Sequence, residues 1–208
     1  MSVLSQILKE KIVAIIRGAD PGTVIEIAEA LKRGGVNILE VTFNSPNALM
    51  AIAALAKKFN DEMLIGAGTV LDSQTAKAVI EHGAKFIVSP NADPETIHAT
   101  KSTGVVSIPG AYTATEIVNA FSWGGDIIKI FPASSPDYIK VLQGPLSHIR
   151  MMPTGGITVR NIAAFKKAGA VAFGIGTSLV DTKQKLTTEF LRQVTENANK
   201  FIAAISMS

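Results

Sequence analysis

A repeating stop signal runs through this chain and limits what it can fold into. Apolar stretches with helical spacing end at Gly35, Asn60, Gly83, Gly104, Gly125, Gly144 and Gly169, at intervals of 25, 23, 21, 21, 19 and 25 residues. Glycine and asparagine tolerate the left-handed backbone that closes a helix, so the series marks successive helix ends. Short β-branched or apolar runs follow most of them, at residues 37–43, 63–66, 85–89, 105–108, 127–131, 148–152 and 170–174. With residues 11–16 at the start, that makes eight expected strands. Amphipathic segments such as 23–33 and 47–59 lie between them.

Strand and helix alternating at this interval is the pattern of parallel βα units. Eight units close a barrel, and the 208 residues reach the lower limit of roughly 200 for that fold. The expectation is therefore an α/β (β/α)8 barrel forming one domain over residues 1–208. A leading helix is expected at about residues 1–10. A closing amphipathic segment covers 183–208, with its helix ending near 206. The rival is an open doubly wound sheet, but no G-x-G-x-x-G follows the first strand.

Composition removes several function classes. Apolar residues at 47% and charged residues at 18% provide for a sizeable core and exclude intrinsic disorder. The net charge is only +3 with scattered basic residues, which gives no footprint for nucleic acid or a membrane surface. Trp123 and Tyr112 show no interleaving with basic residues of the kind single-stranded nucleic acid needs. Without cysteine there is no disulfide, thiolate metal site or cysteine nucleophile. The first ten residues lack a cleavable leader, and no run approaches the ~20 apolar residues of a membrane span. A cytoplasmic protein is expected.

Two charges fall where a core should be apolar. In Ile38-Leu39-Glu40-Val41-Thr42, Leu39 and Val41 can pack on helices, which turns Glu40 inward. In Ile128-Lys129-Ile130, the isoleucines take the helix side and Lys129 faces the axis. These are the second and sixth expected strands, and alternate strands can share one interior layer. The pair is either a buried structural ion pair or a nucleophilic amine with a proton shuttle. Apolar surroundings lower an amine pKa, which suits Lys129 to Schiff-base chemistry. Lys57, Lys58, Lys166 and Lys167 sit near helix ends, where a solvated face explains them.

Barrel sites lie at the carboxyl ends of strands, where Arg17 closes the first run and suits a carboxylate or phosphate. Gly66-Ala67-Gly68-Thr69 brings a hydroxyl to the same rim. Pro153-Thr154-Gly155-Gly156-Ile157 follows the seventh run, and Gly174-Ile175-Gly176-Thr177-Ser178 ends the eighth. Glycine loops in those two positions, with a helix N-terminus, form a phosphate cradle. A phosphorylated metabolite is the expected substrate. His82, His98 and His148 lack paired ligand spacing, so no metal or other cofactor is expected.

Six segments recur together in one order: Leu39-Glu40-Val41-Thr42, Gly66-Ala67-Gly68-Thr69-Val70, Val88-Ser89-Pro90, Ile108-Pro109-Gly110, Ile128-Lys129-Ile130-Phe131-Pro132-Ala133 and Pro153-Thr154-Gly155-Gly156-Ile157. Through them the chain resembles the bacterial 2-keto-3-deoxy-6-phosphogluconate / 4-hydroxy-2-oxoglutarate aldolases over nearly its whole length. The resemblance implies a homotrimeric class I lyase. Its substrate would be a phosphorylated 2-keto-3-deoxy sugar acid, 2-keto-3-deoxy-6-phosphogluconate, cleaved to pyruvate and glyceraldehyde 3-phosphate, with 4-hydroxy-2-oxoglutarate as a further substrate. It implies Lys129 as the Schiff-base lysine and Glu40 as the acid/base. Arg17, Thr69 and Thr154 would hold the polar end of the substrate, and Phe131 would pack against the ketoacid. Gly155, Gly156, Gly176 and Ser178 would line the phosphate. The chain departs from the pattern at Asn44, where many members carry a carboxylate-gripping arginine, and Asn44 would take that substrate contact here. Galactonate-epimer aldolases carry Asn-Ser-Pro there too, so 2-keto-3-deoxy-6-phosphogalactonate stays open as the alternative substrate. A phosphate-binding isomerase or epimerase is the rival of a different class.

Overall fold

A computed structural model describes residues 1–206. The short helix α1 (Val3–Glu10) opens the chain. Strand and helix then alternate through β1 (Ile12–Ile16), α2 (Pro21–Arg33), β2 (Ile38–Thr42), α3 (Ala48–Phe59), β3 (Leu64–Gly68), α4 (Ser73–Glu81), β4 (Phe86–Val88) and α5 (Pro94–Ser102). Two strand pieces follow, β5 (Val106–Ile108) and β6 (Gly110–Ala111), and then α6 (Ala114–Ser122). The chain ends with β7 (Ile128–Ile130), α7 (Pro136–Gln143), β8 (Met151–Pro153), α8 (Ile162–Lys167), β9 (Phe173–Ile175) and α9 (Thr188–Ser206). Local chemistry sets these boundaries. Asp20 accepts the amides of Gly22 and Thr23 ahead of Pro21, and Thr113 and Glu116 form a reciprocal capping box on α6.

All strand pairings are parallel. One sheet has the order β5-β4-β3-β2-β1-β9 and the other β6-β7-β8. An isolated parallel bridge joins Thr154 to Gly174 between β8 and β9. The amides of Asp126 and Lys129 donate to the carbonyls of Ser107 and Pro109, at 2.9 Å each. The result is an α/β fold built on parallel strands.

Several boundaries differ from the sequence expectation. The fifth run is divided, because Pro109 has no N–H and interrupts the ladder between β5 and β6. The third run extends to Gly68, whose strand pairs Val41 with Ala67 and Thr42 with Gly68. The seventh begins at Met151 rather than at residue 148. A turn closed by the Ile149 amide on the Leu146 carbonyl precedes it, and His148 stands edge-on to Phe121. The eighth is β9, shorter than residues 170–174 at its start. The closing helix begins at Thr188, not 183, since Thr187 Oγ1 accepts the Phe190 amide and so sets the helix start. Met207 and Ser208 lie outside the described residues. Gly35, Asn60, Gly83, Gly104 and Gly169 hold positive φ as helix stops. The fifth stop moves to Gly124, while Gly125 is pressed between Pro109 and Ile128. Gly144 keeps a helical φ of −53°.

The apolar residues form two layers. Leu39, Val41, Ile128 and Ile130 pack with helical residues in the larger one. Val13, Ile38, Leu64, Phe86, Ile108 and Met152 form the other on the opposite strand face, and Ile7 of α1 belongs to it. Because side chains alternate, Glu40 shares its strand face with Ile38, and Lys129 opposes the helix-facing isoleucines. No helix among the described residues is long and apolar enough to cross a membrane.

Candidate active site

Glu40 and Lys129 are the two charged side chains buried among the described residues, 2% and 5% exposed. Glu40 pairs in register with Ile15 and Gly66, and Lys129 with Gly110 and Met152. Desolvation dominates both titrations. It raises the Glu40 carboxyl above its ordinary value, opposed by the charges of Lys129 and then Arg17. It lowers the Lys129 amine, opposed by Glu40 and assisted by Arg17. The two groups feel one another through space, and Glu40 Oε2 is buried with no hydrogen-bond partner among the described residues. The Lys129 Nζ lies 5.0 Å from the centroid of the Phe131 ring, which is 42% exposed at the mouth. The peptide between Phe131 and Pro132 is cis.

The position of Glu40 depends on the missing side chain of Gly68. A Cβ added there would lie 2.6 Å from Glu40 Cδ, and its three nearest neighbours all belong to Glu40. Gly68→Ala should therefore destabilise the fold by about 1–3 kcal/mol, the usual range for overpacking. Denaturant unfolding of Gly68→Ala alone and combined with Glu40→Ala checks this. The double variant should recover most of the loss, and an undiminished loss there would place the clash elsewhere.

A cavity of about 650 Å³ opens over these groups. Its wall includes Lys129, Arg17, Thr69, Phe131, Thr154, Gly155, Gly156, Gly176 and Ser178, all singled out from the sequence. Pro90, Ile157, Thr158 and Thr177 line it too and were not singled out. Pro90 sits in one of the six shared motifs and Thr177 in the second glycine loop, so position alone carried a signal. Glu40 lies beneath the wall rather than on it. Asn44 is also off the wall, and its Oδ1 accepts Arg17 Nη1 at 2.9 Å. The Arg17 segment is pinned further, by Thr182 Oγ1 donating to its carbonyl at 2.5 Å and by the Gly18 amide donating to Ser45 Oγ at 2.8 Å.

The backbone of the rim is unusual at two places. Thr69 has φ +57°, a conformation that β-branched residues rarely take and that clusters at functional sites. Gly155 and Gly156 have φ +89° and +72°, and an added Cβ on Gly155 would point at the Phe131 ring. Across from them, residues after β9 form a single turn, with the amides of Leu179 and Val180 donating to the Gly176 carbonyl. This corrects the expected helix N-terminus. The bonding stops after this one turn and does not continue into a helix. The Ser178 hydroxyl is spent on the Ile157 carbonyl at 2.6 Å, so its amide is what it offers a ligand. The amides of Gly156, Thr177 and Ser178 find no acceptor among the described residues, and such clustered donors suit an anion.

Comparison with known proteins agrees with this geometry. The family model "Aldolase: KDPG and KHG aldolase" matches residues 3–196. The 2-dehydro-3-deoxy-6-phosphogalactonate aldolase of Escherichia coli (strain K12) is 35% identical over 181 residues, covering 86% of this chain and 88% of its own. A solved structure described as "Native KDPGal structure" superposes with a TM-score of 0.89 at 33% identity, covering 94% of each chain. KDPG aldolase from Legionella pneumophila, with pyruvate captured as a covalent carbinolamine intermediate, superposes at 0.83 with 25% identity over 95% of this chain and 97% of that one. The chain belongs to the KDPG and KHG aldolase family, whose members are carbon–carbon lyases.

Proposed function

We propose that the protein is a Schiff-base aldolase in which Lys129 is the nucleophile and Glu40 moves the protons. The observation that carries this is a desolvated amine in a 650 Å³ cavity, coupled to a buried carboxyl and facing unpaired backbone amides. The neutral Lys129 amine adds to the C2 ketone of the substrate, and loss of water leaves an iminium. Glu40 takes the C4 hydroxyl proton as the C3–C4 bond breaks. The aldehyde leaves, and the bond's electron pair remains as an enamine on Lys129. Protonation at C3 and hydrolysis return pyruvate and the free amine. Arg17, Thr69 and Thr154 hold the ketoacid end, with Phe131 against its face. The phosphate sits on Gly155, Gly156, Gly176 and Ser178.

The substrate is a 2-keto-3-deoxy-6-phospho sugar acid, and a charged phosphate ester stays in the compartment that made it, which supports a cytoplasmic enzyme. The gluconate and galactonate epimers share this mechanism. Asn44 in place of a cation, and the broad similarity to the galactonate enzyme, favour the galactonate. A single domain closed as a (β/α)8 barrel is supported by the Thr154–Gly174 bridge and by the Lys129 amide bonding to Pro109 across the divided fifth strand. Homotrimer assembly is supported by the exposed Val118 and Phe121 on α6 and Val141 on α7, which leave apolar surface to cover.

Borohydride added with pyruvate should fix a stable adduct at Lys129, read by mass spectrometry of the 127–132 peptide. Protein that stays unlabelled there would overturn the proposal. Steady-state turnover should show a higher kcat/KM for the galactonate epimer than for the gluconate, and the reverse order would reassign the natural substrate.

A further inference from the structure

A second cavity of about 330 Å³ adjoins the catalytic one, and the two share Ile15, Arg17, Gly176 and Thr177. Its far side is formed by Asp181, Thr182 and Lys183, well past the last glycine loop. Thr182 is occupied in holding the Arg17 carbonyl. The Asp181 carboxylate is turned into its own loop, accepting the Lys183 amide at 3.3 Å and Gln184 Nε2 at 3.4 Å. Among the described residues neither Lys183 nor Arg17 has a carboxylate within 4.0 Å. Arg17 rests instead on the neutral oxygen of Asn44. Two unneutralised cations thus face a space whose common wall, Thr177, carries one of the amides without an acceptor.

We propose that this second cavity is an antechamber for a phosphate monoester and that Lys183 is a specificity-determining residue. The inference deepens the aldolase reading above and rests on it. A dianion seated on the amides of Gly156, Thr177 and Ser178 has its outward oxygens on the Thr177 side, where the antechamber begins. A lysine is a mobile point charge on a flexible stem, suited to meeting such an oxygen without fixed geometry. With Arg17 it also sets a positive potential along the approach, which speeds the arrival of an anionic substrate and weakens with salt. Asp181 on the same wall offsets part of that potential, but its carboxylate is held by its own loop and pairs with neither cation.

Two measurements on wild type, Lys183→Ala and Lys183→Arg test this. Lys183 is exposed, so its replacement leaves the fold intact, and thermal unfolding verifies that. Calorimetric titration with inorganic phosphate at low ionic strength should show binding weakened about tenfold in Lys183→Ala, as befits loss of one charge-assisted contact. Lys183→Arg should restore it. In turnover, kcat/KM for the phosphorylated sugar acid should fall by a similar factor, while the same acid without its phosphate is unaffected. Unchanged phosphate binding, or equal losses on both acids, would overturn the proposal. Should the wild type cleave neither acid, the aldolase reading fails, yet the phosphate titration still decides the role of Lys183.

Discussion

Replacing Lys129 with methionine is expected to abolish pyruvate trapping and to lower kcat by about 10⁴-fold or more, the scale seen when a covalent nucleophile is removed. The same change should leave the protein at least as stable as the wild type. Lys129 is 5% exposed, and desolvation holds its amine below the ordinary lysine value of 10.5. The unfolded chain therefore binds a proton more readily than the folded one between the folded pKa and 10.5. Stability attributable to Lys129 is full above 10.5 and is lost as pH falls through the folded value. The advantage of methionine should accordingly grow as pH drops from about 10.5 and level off once the folded amine is protonated. Removing one partner of a buried pair usually costs about 3–5 kcal/mol because the other charge is left behind. Here, however, desolvation outweighs the mutual attraction and already biases Glu40 toward its neutral form. Urea unfolding at several pH values measures this. A Lys129→Met protein less stable than wild type throughout that range would mean that the attraction of Glu40 outweighs desolvation, while retained pyruvate trapping would count against the catalytic role.

The inward pair was legible because strand alternation is a strict rule. Glu40 sits between Leu39 and Val41, and Lys129 between Ile128 and Ile130, so the helix-facing residues assign the charges to the other face without any tertiary information. The glycine loops were legible for a similar reason, since their order along the chain fixes which rim they reach. Other features needed contacts between distant segments. Asn44 reads as a substrate contact, yet it stands off the cavity wall and bonds Arg17, 27 residues earlier in the chain. The positive φ of Thr69 contradicts the preference of its own side chain and arises from the strands around it. The break at Pro109 was visible as a proline, but whether it ends a strand or merely divides one depends on neighbours on both edges. The antechamber is furthest from local pattern, because Lys183 lies in an irregular turn where the sequence suggested helix.

Glu40→Gln keeps the size of the side chain and removes its titration, which makes it the sharpest test of proton transfer. Turnover should fall by about 10²–10⁴-fold, the usual worth of a positioned acid or base, with little change in KM. The amine itself attacks the ketone, so borohydride should still trap pyruvate on Lys129, more slowly where Glu40 no longer protonates the departing hydroxyl. The pH profile gives a readout that a packing role would not move. Glu40 acts to raise the Lys129 pKa against the larger lowering by desolvation. Taking away its charge lets the amine deprotonate at lower pH, so the acid limb that reports Lys129 should shift downward in Glu40→Gln. Packing offers no such link, because glutamine fills the same space beside Gly68. The rate of pyruvate trapping as a function of pH isolates the amine from the later steps. A trapping profile that stays where the wild type has it, together with equal losses in kcat and in substrate binding, would reduce Glu40 to a buried spacer and leave the proton transfers to another group.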